Sequence, residues 1–345
     1  MAKLVYALGL GPSAERLGSS SLPRGTIMKN NHKIKLVAIG GGTGLSTLLR
    51  GLKEYPLNIS AVVTMTDNGL STGRLRRDFG ILPPGDIRKC IIALSPEETL
   101  LTKLFEYRFK RGKGLSGHSL GNLLMLALEK NTGSFSKAVE EASKILAVNG
   151  KVIPSTLEKI NIIAHHKSGK KMLGERKAFL LGKKDPIIKV ELDKHDVKGN
   201  PEAIKAIQNA DIIVIGPGSL FTSVISNFVI SDIANAVIKN KKARKIYICN
   251  VSTERGETQG FGVEEHIKML FDHSSPKFID SCLVNGKIIK TSSKEYKLGE
   301  IKNFSTNRDN IMGVKIIKND LINTKAPLYH DSKKLANAIW RISNE

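Results

Sequence analysis

Lys35-Leu36-Val37-Ala38-Ile39-Gly40-Gly41-Gly42-Thr43-Gly44-Leu45 is the stretch that decides the fold. Its apolar run has no polar alternation, which predicts a strand buried on both faces, as in a parallel sheet. The glycines end the strand, and Leu45–Lys53 then carries apolar residues at helical spacing. Strand, glycine-rich turn and helix together make a phosphate-type turn, because glycines let the backbone approach an anion and the helix start offers free N–H groups. Neither the full dinucleotide fingerprint nor the P-loop is present, since there is no third glycine at the needed spacing and no Gly-Lys-Ser/Thr.

The same grammar continues along the chain. A second strand is predicted at Ser60–Thr66 and ends at Asp67-Asn68-Gly69. Helices are predicted at Asp86–Leu94, Glu97–Phe109, Ser119–Lys130 and Phe135–Val148 from three- and four-residue apolar spacing. Residues 151–195 differ: short β-rich pieces such as Ile160–Ala164 and Ile187–Leu192 alternate with Gly and Lys, which suggests a small antiparallel insertion. The α/β alternation then resumes. Helices are expected at Pro201–Asn209, Leu220–Phe228, Ser231–Lys239, Val263–Phe271 and Asp331–Ile342, and strands at Asp211–Gly216, Lys245–Val251 and Phe278–Val284. This order predicts an α/β fold, Rossmann-like and doubly wound, with a mostly parallel sheet and a small β-rich insertion. Residues 33–345 read as a single domain. Residues 1–32, polar and clustered in Gly, Ser, Pro and Asn, read as a disordered extension, with Met28 a reasonable true start.

Composition sets the outer bounds. The chain has 345 residues, 41% hydrophobic and 25% charged, which supports a sizeable core. The net charge of +22 would suit a polyanion partner. No nucleic-acid motif accompanies it, and 40 of the 54 basic residues are Lys in a chain rich in Ile and Asn, so compositional bias accounts for it and no nucleic acid is expected. Three scattered cysteines, Cys90, Cys249 and Cys282, imply neither a disulfide framework nor a metal site. No apolar run reaches the length of a membrane span. A soluble, cytoplasmic protein is expected.

Five further segments carry chemistry. In Thr66–Arg74, Asp67, Asn68, Ser71 and Arg74 would lie at the same rim as Gly41–Gly44, in what reads as a polar loop. In Leu82–Arg88, Asp86 can cap the helix it opens, and Arg88 in a first turn opposes the helix dipole, which points to an anionic partner. In Gly114–Asn122, His118 and Asn122 share a helical face. In Ile215–Ser223, Gly216, Gly218, Ser219 and Thr222 repeat the turn of the first strand. Finally, Asn250–Phe261 holds Thr253, Glu254, Glu257 and the aromatic Phe261. Several such loops at strand carboxyl ends mark the ligand edge of an open α/β sheet.

Six motifs in this order, Gly40–Arg50, Asp67–Arg76, Leu82–Arg88 with the following Ala93, Phe105–Phe109, Gly114–Asn122 and Ile215–Ser223, resemble the YvcK family, and the resemblance runs from about Lys33 to Trp340. Those are bacterial UDP-sugar-binding proteins designated gluconeogenesis factors. The family is similar in fold to CofD, the 2-phospho-L-lactate transferase of deazaflavin coenzyme synthesis, which shares the Gly-Gly-Thr-Gly opening and the Ile-Gly-Pro turn. The resemblance implies a regulatory protein that binds UDP-N-acetylglucosamine or UDP-glucose, linked to cell shape, cell-wall synthesis and gluconeogenic growth. Its partners would be cell-wall synthesis or regulatory proteins, and a homodimer is compatible with it. By the same carry-over Gly41, Gly42, Thr43, Gly44, Gly216, Gly218, Ser219 and Thr222 contact the diphosphate, while Asn250 and Phe261 face the base or ribose. Two positions depart from the family: Asp67-Asn68 stands where an Asp-Asp pair is usual, and Phe261 where Tyr is frequent. The lost carboxylate weakens any Mg²⁺ site. No catalytic residue, metal ligand or required cofactor is therefore expected, and turnover is less expected than binding. A CofD-like transferase moving a phosphorylated group from a nucleotide diphosphate donor is the alternative.

Overall fold

The computed structural model describes residues 33–96, 99–288 and 301–345; the expected extension 1–32 lies outside them. Among these residues the central feature is an eight-stranded sheet. Its strands are β1 (Lys35–Gly40), β2 (Asn58–Val63), β3 (Lys151–Pro154), β7 (Ile212–Ile215), β8 (Arg244–Ile248), β9 (Ser281–Asn285), β10 (Asn310–Ile311) and β11 (Val314–Asn319). The spatial order is β10-β11-β9-β8-β7-β1-β2-β3. All pairs are parallel except β10 with β11.

Side-chain alternation explains the layers. Leu36 and Ala38 of β1 enter one apolar cluster, with Leu45, Leu48, Leu49 and Leu52 of helix α1 (Gly42–Leu52). Val37 and Ile39 enter the other, with Ile233 and Val237 of the helix Ser231–Lys239. A strand apolar on both faces needs a helical layer on each side, and both are present. The last helix, Ser332–Ser343, is capped by Asp331, which accepts the N–H groups of Lys333 and Lys334 at 3.0 Å.

From β1 the chain winds to β2 and β3 on one side, and from β7 to β8, β9 and β11 on the other. The winding reverses between β1 and β7, so the switch point lies between the two glycine-rich turns.

Several expectations need correction. Glu97–Phe109 is helical only over Leu100–Glu106 (α4); Glu97 and Glu98 lie outside the described residues, and at the other end Arg108 pairs with Ser119 across a hairpin. The stretch read as a loop at Thr66–Arg74 is helical from Leu70 to Phe79 (α2). Its only fully buried side chains are Ser71, Thr72 and Leu75, too few apolar groups to signal a helix by periodicity. The insertion is a three-stranded antiparallel sheet of β4 (Ile162–His166), β5 (Lys171–Leu173) and β6 (Ile187–Leu192), with helix α7 (Glu175–Gly182). Residues 151–154 belong instead to the main sheet as its edge strand. The segment Leu220–Ile225 opens as a π-helical turn before Ser226–Phe228.

Candidate functional site

The two turns at the switch point touch. Gly40 pairs with Val63 at the end of β1, and Gly216 N–H donates to Ile39 O at 2.8 Å. A methyl group on Gly44 would lie 2.5 Å from Pro217 O and 2.8 Å from Gly218 Cα, so this approach excludes any side chain. Above them opens a cleft of about 410 Å³. Its walls come from the carboxyl ends of β1, β2, β7 and β8, from helix α3 (Pro84–Leu94), from α7 and from Ile301 and Leu328–His330.

Nine of the sequence-predicted residues line it: Gly41, Gly42, Thr43, Gly44, Asp67, Gly218, Ser219, Thr222 and Asn250. Asn250 holds the second turn, its amide donating to Gly218 O at 3.0 Å and its Oδ1 accepting from Gly218 N–H at 3.4 Å.

Both helix starts are met by the protein's own carboxyl groups. Asp86 Oδ2 accepts the Gly42 N–H at 2.7 Å, and Asp86 Oδ1 accepts Lys89 Nζ at 3.0 Å. Glu257 accepts the Phe221 N–H at 3.0 Å and the Thr222 hydroxyl at 2.6 Å. Beside it Glu254 accepts the Ser219 hydroxyl at 2.9 Å. Across the cleft Glu175 accepts the Thr66 hydroxyl at 2.7 Å, and Asp67 accepts the Gly69 N–H at 2.7 Å.

So many acids would repel a phosphate if all were ionised. Burial opposes that. It raises Asp67, with Asp86 adding to the effect, and lifts Glu175 well above the usual carboxylate range, with Asp67 and Asp86 adding. Burial and the neighbouring Glu254 push Glu257 up to about 8, and burial raises Glu254. Burial pulls Lys89 down, but Asp86, as ion pair and hydrogen bond, outweighs it and leaves the ammonium raised. Near neutral pH burial therefore favours the protonated, hydrogen-bond-donating form at Glu175 and Glu257, beside the Asp86–Lys89 pair. His330 at the wall is held neutral: burial draws it down to about 4, and its Nε2 lies 3.3 Å from Cys249 O.

Seven predicted site residues lie outside the cleft lining. Ser71, His118, Asn122 and Arg88 form one buried network. Ser71 Oγ is 3.1 Å from His118 Nδ1 and accepts the Asn122 amide at 3.1 Å; Arg88 donates to Asn122 Oδ1 at 2.9 Å and to Phe105 O at 2.8 Å. Arg88 meets neutral carbonyls and not the anionic partner its position suggested, and burial draws it down to about 10. Phe261 packs its ring against Phe221 and His266 in the second apolar cluster. Asn68 turns away, its Oδ1 accepting the Arg176 N–H at 3.3 Å at the start of α7. Gly216 supports the second turn at φ 79° from beneath.

Asp86, Lys89, Glu175, Tyr329 and His330 join the lining although the sequence does not mark them as binding residues. The sequence marks Asp86 as the cap of its own helix, whereas the N–H it accepts lies 44 residues away. Among the described residues no three His, Cys, Asp or Glu side chains converge on a metal position. Both carboxylates nearest the turns already accept hydrogen bonds. Among the described residues the protein alone does not build a divalent-cation cage here.

A family model described as 2-phospho-L-lactate transferase CofD matches residues 36–322. The chain is 47% identical over 262 residues to the gluconeogenesis factor of Halalkalibacterium halodurans, covering 76% of this chain and 80% of that protein. It is 41% identical over 317 residues to the gluconeogenesis factor of Bacillus subtilis, covering 91% and 99%. A crystal structure of an upf0052 family member from Bacillus halodurans superposes with a TM-score of 0.83 at 39% identity, covering 90% of this chain and 100% of that one. A Nostoc relative, 52% identical over 236 residues, is longer: the match spans 51% of it. On these matches and on the motifs at the switch point, the chain belongs to the CofD family, among the gluconeogenesis factors of the YvcK group.

Proposed function

We propose that this chain is a cytoplasmic regulatory protein that binds a nucleotide sugar, UDP-N-acetylglucosamine or UDP-glucose, without turning it over. The observation that carries the reading is the meeting of two glycine-rich turns, Gly41–Gly44 and Pro217–Ser219, at the topological switch point. Two backbone anion sites side by side suit two phosphates better than one. Because Asp86, Glu257 and Glu254 already occupy the Gly42 and Phe221 N–H groups and the Ser219 hydroxyl, the diphosphate meets the remaining N–H groups of the turns and Lys89. Glu175, whose carboxyl burial lifts well above the usual range, donates a hydrogen bond to a phosphate or sugar oxygen. The base and ribose reach Asn250 and the Leu328–His330 rim, since Phe261 packs against the second apolar cluster outside the cleft lining. The link to cell shape, cell-wall synthesis and gluconeogenic growth rests on the family resemblance and on the names of the relatives.

A thermal-shift panel with calorimetry tests this. UDP-N-acetylglucosamine should raise the melting temperature, UMP less. Equal shifts from GDP, ATP and the UDP-sugars would remove the specificity claim. The transferase alternative is favoured by one observation, the Asp86–Lys89 pair facing Asp67 in the cleft. Consumption of the nucleotide sugar in the presence of Mg²⁺ would establish it and displace the regulator reading.

A further inference from the structure

Away from the cleft, α4 and the hairpin that follows it present an unusual surface. Leu100, Leu101 and Leu104 point outward from α4, with Leu100 74% exposed, while Thr102 and Phe105 face inward. Tyr107 and Leu115 extend this apolar surface along the hairpin. Interleaved with them stand Lys103, Arg108, Lys110, Arg111 and Lys113, all exposed, against one described acid, Glu106. Glu97 and Glu98 precede the segment outside the described residues. None of the five cations forms an ion pair among the described residues.

The surface is preformed. Phe109 N–H donates to His118 O at 2.9 Å, Gly117 N–H to Phe109 O at 2.7 Å and Leu120 N–H to Tyr107 O at 2.8 Å. Arg74 ties the hairpin to α2 through Ser116 O at 2.7 Å, and Arg88 ties α4 to α3 through Phe105 O at 2.8 Å. The leucines are therefore held outward by a built scaffold.

We infer that this face docks the protein on an anionic lipid bilayer. Leucine and tyrosine enter the headgroup boundary, while the Lys and Arg stems lie along it with their charges at the lipid phosphates. A second copy of the chain would set two cationic faces against each other. A nucleic acid would satisfy the charges but leave the leucines in water. No single helix among the described residues is long and apolar enough to cross a membrane, so the contact is interfacial.

Co-sedimentation of the full chain with vesicles tests this, comparing phosphatidylglycerol mixed into phosphatidylcholine with phosphatidylcholine alone. Binding should rise with the anionic fraction and fall with salt. Leu100→Ser with Leu104→Ser, and separately Lys110→Glu with Arg111→Glu, should each weaken it by at least about tenfold. All four positions are exposed, so circular dichroism and the melting temperature should stay unchanged. Absence of wild-type binding overturns the inference, as does binding that survives the leucine changes. So does equal binding to a DNA duplex or to an acidic protein at the same salt.

Discussion

Replacing Glu257 with Gln should stabilise the protein at alkaline pH and do much less in acid. Glu257 is 4% exposed and accepts from Phe221 N–H and the Thr222 hydroxyl. Gln can keep both contacts, its carbonyl accepting the N–H and its amide donating to the threonine oxygen, with the hydroxyl reversed. In the folded protein burial pushes the carboxyl from 4.5 up to about 8. The sign follows from linkage. Below about 4.5 the acid is protonated in both states. Between there and about 8 the unfolded chain releases the proton and the folded one keeps it, so stability falls as pH rises. Each pH unit in that window costs about 1.4 kcal/mol. From pH 5.5 to 8 the Gln variant should therefore gain on the order of 3 kcal/mol over wild type. Part of the proton release belongs to Glu254 beside it. His266 and His330, both drawn down to about 4 by burial, titrate alike in the two proteins and cancel in the difference. Urea unfolding of both proteins at pH 5.5, 7 and 8 reads the effect. A stability difference that does not change with pH would refute the reasoning, because Glu257 would then be ionised in the fold.

Three further outcomes are expected. Gly44→Ala should push the two turns apart; overpacking against backbone costs about 1–3 kcal/mol and helix propensity returns about 1, so a net loss of up to about 2 kcal/mol should appear on urea unfolding, with at least tenfold weaker nucleotide-sugar binding by calorimetry. Arg88→Met should remove two buried hydrogen bonds and cost about 2–4 kcal/mol of stability, while ligand affinity of the folded protein stays close to wild type; a variant as stable as wild type but unable to bind would return Arg88 to the site. Asn68→Asp keeps an acceptor for the Arg176 N–H, so calorimetry should show affinity within about twofold of wild type, the span of ±0.5 kcal/mol, and no added Mg²⁺ binding.

What could be read beforehand was whatever leaves a local trace. Apolar runs ended by glycines, as at Ile39-Gly40 and Ile215-Gly216, mark buried strands and their binding edge without knowledge of the rest of the chain. Polar residues are different, because the same Ser, His or Asn serves a ligand or a buried network. Ser71, His118 and Asn122 sit in glycine-rich surroundings typical of ligand loops, yet the fold places them against Arg88. Glu175 arrives at the cleft from the insertion and meets Thr66, 109 residues away. No spacing rule encodes that distance. The residue-level departure at Asn68 suggested a weakened acidic pair, but side-chain direction decides its meaning, and that amide belongs to the start of α7.

The switch point also has a consequence in time. Ile39 of β1 pairs with Ile215 of β7, and Lys35 donates its N–H to Asp211, 176 residues later. At synthesis rates of roughly 5–20 residues per second, that neighbour follows β1 out of the ribosome about 9–35 s later. Throughout that interval β1 is an apolar strand with one open edge, a template for pairing with the wrong chain. Long-range parallel pairing is slow to form even when both strands are present. The two turns that make the cleft therefore cannot meet until β7 has been made, and until then the open edge of β1 is exposed to wrong pairing.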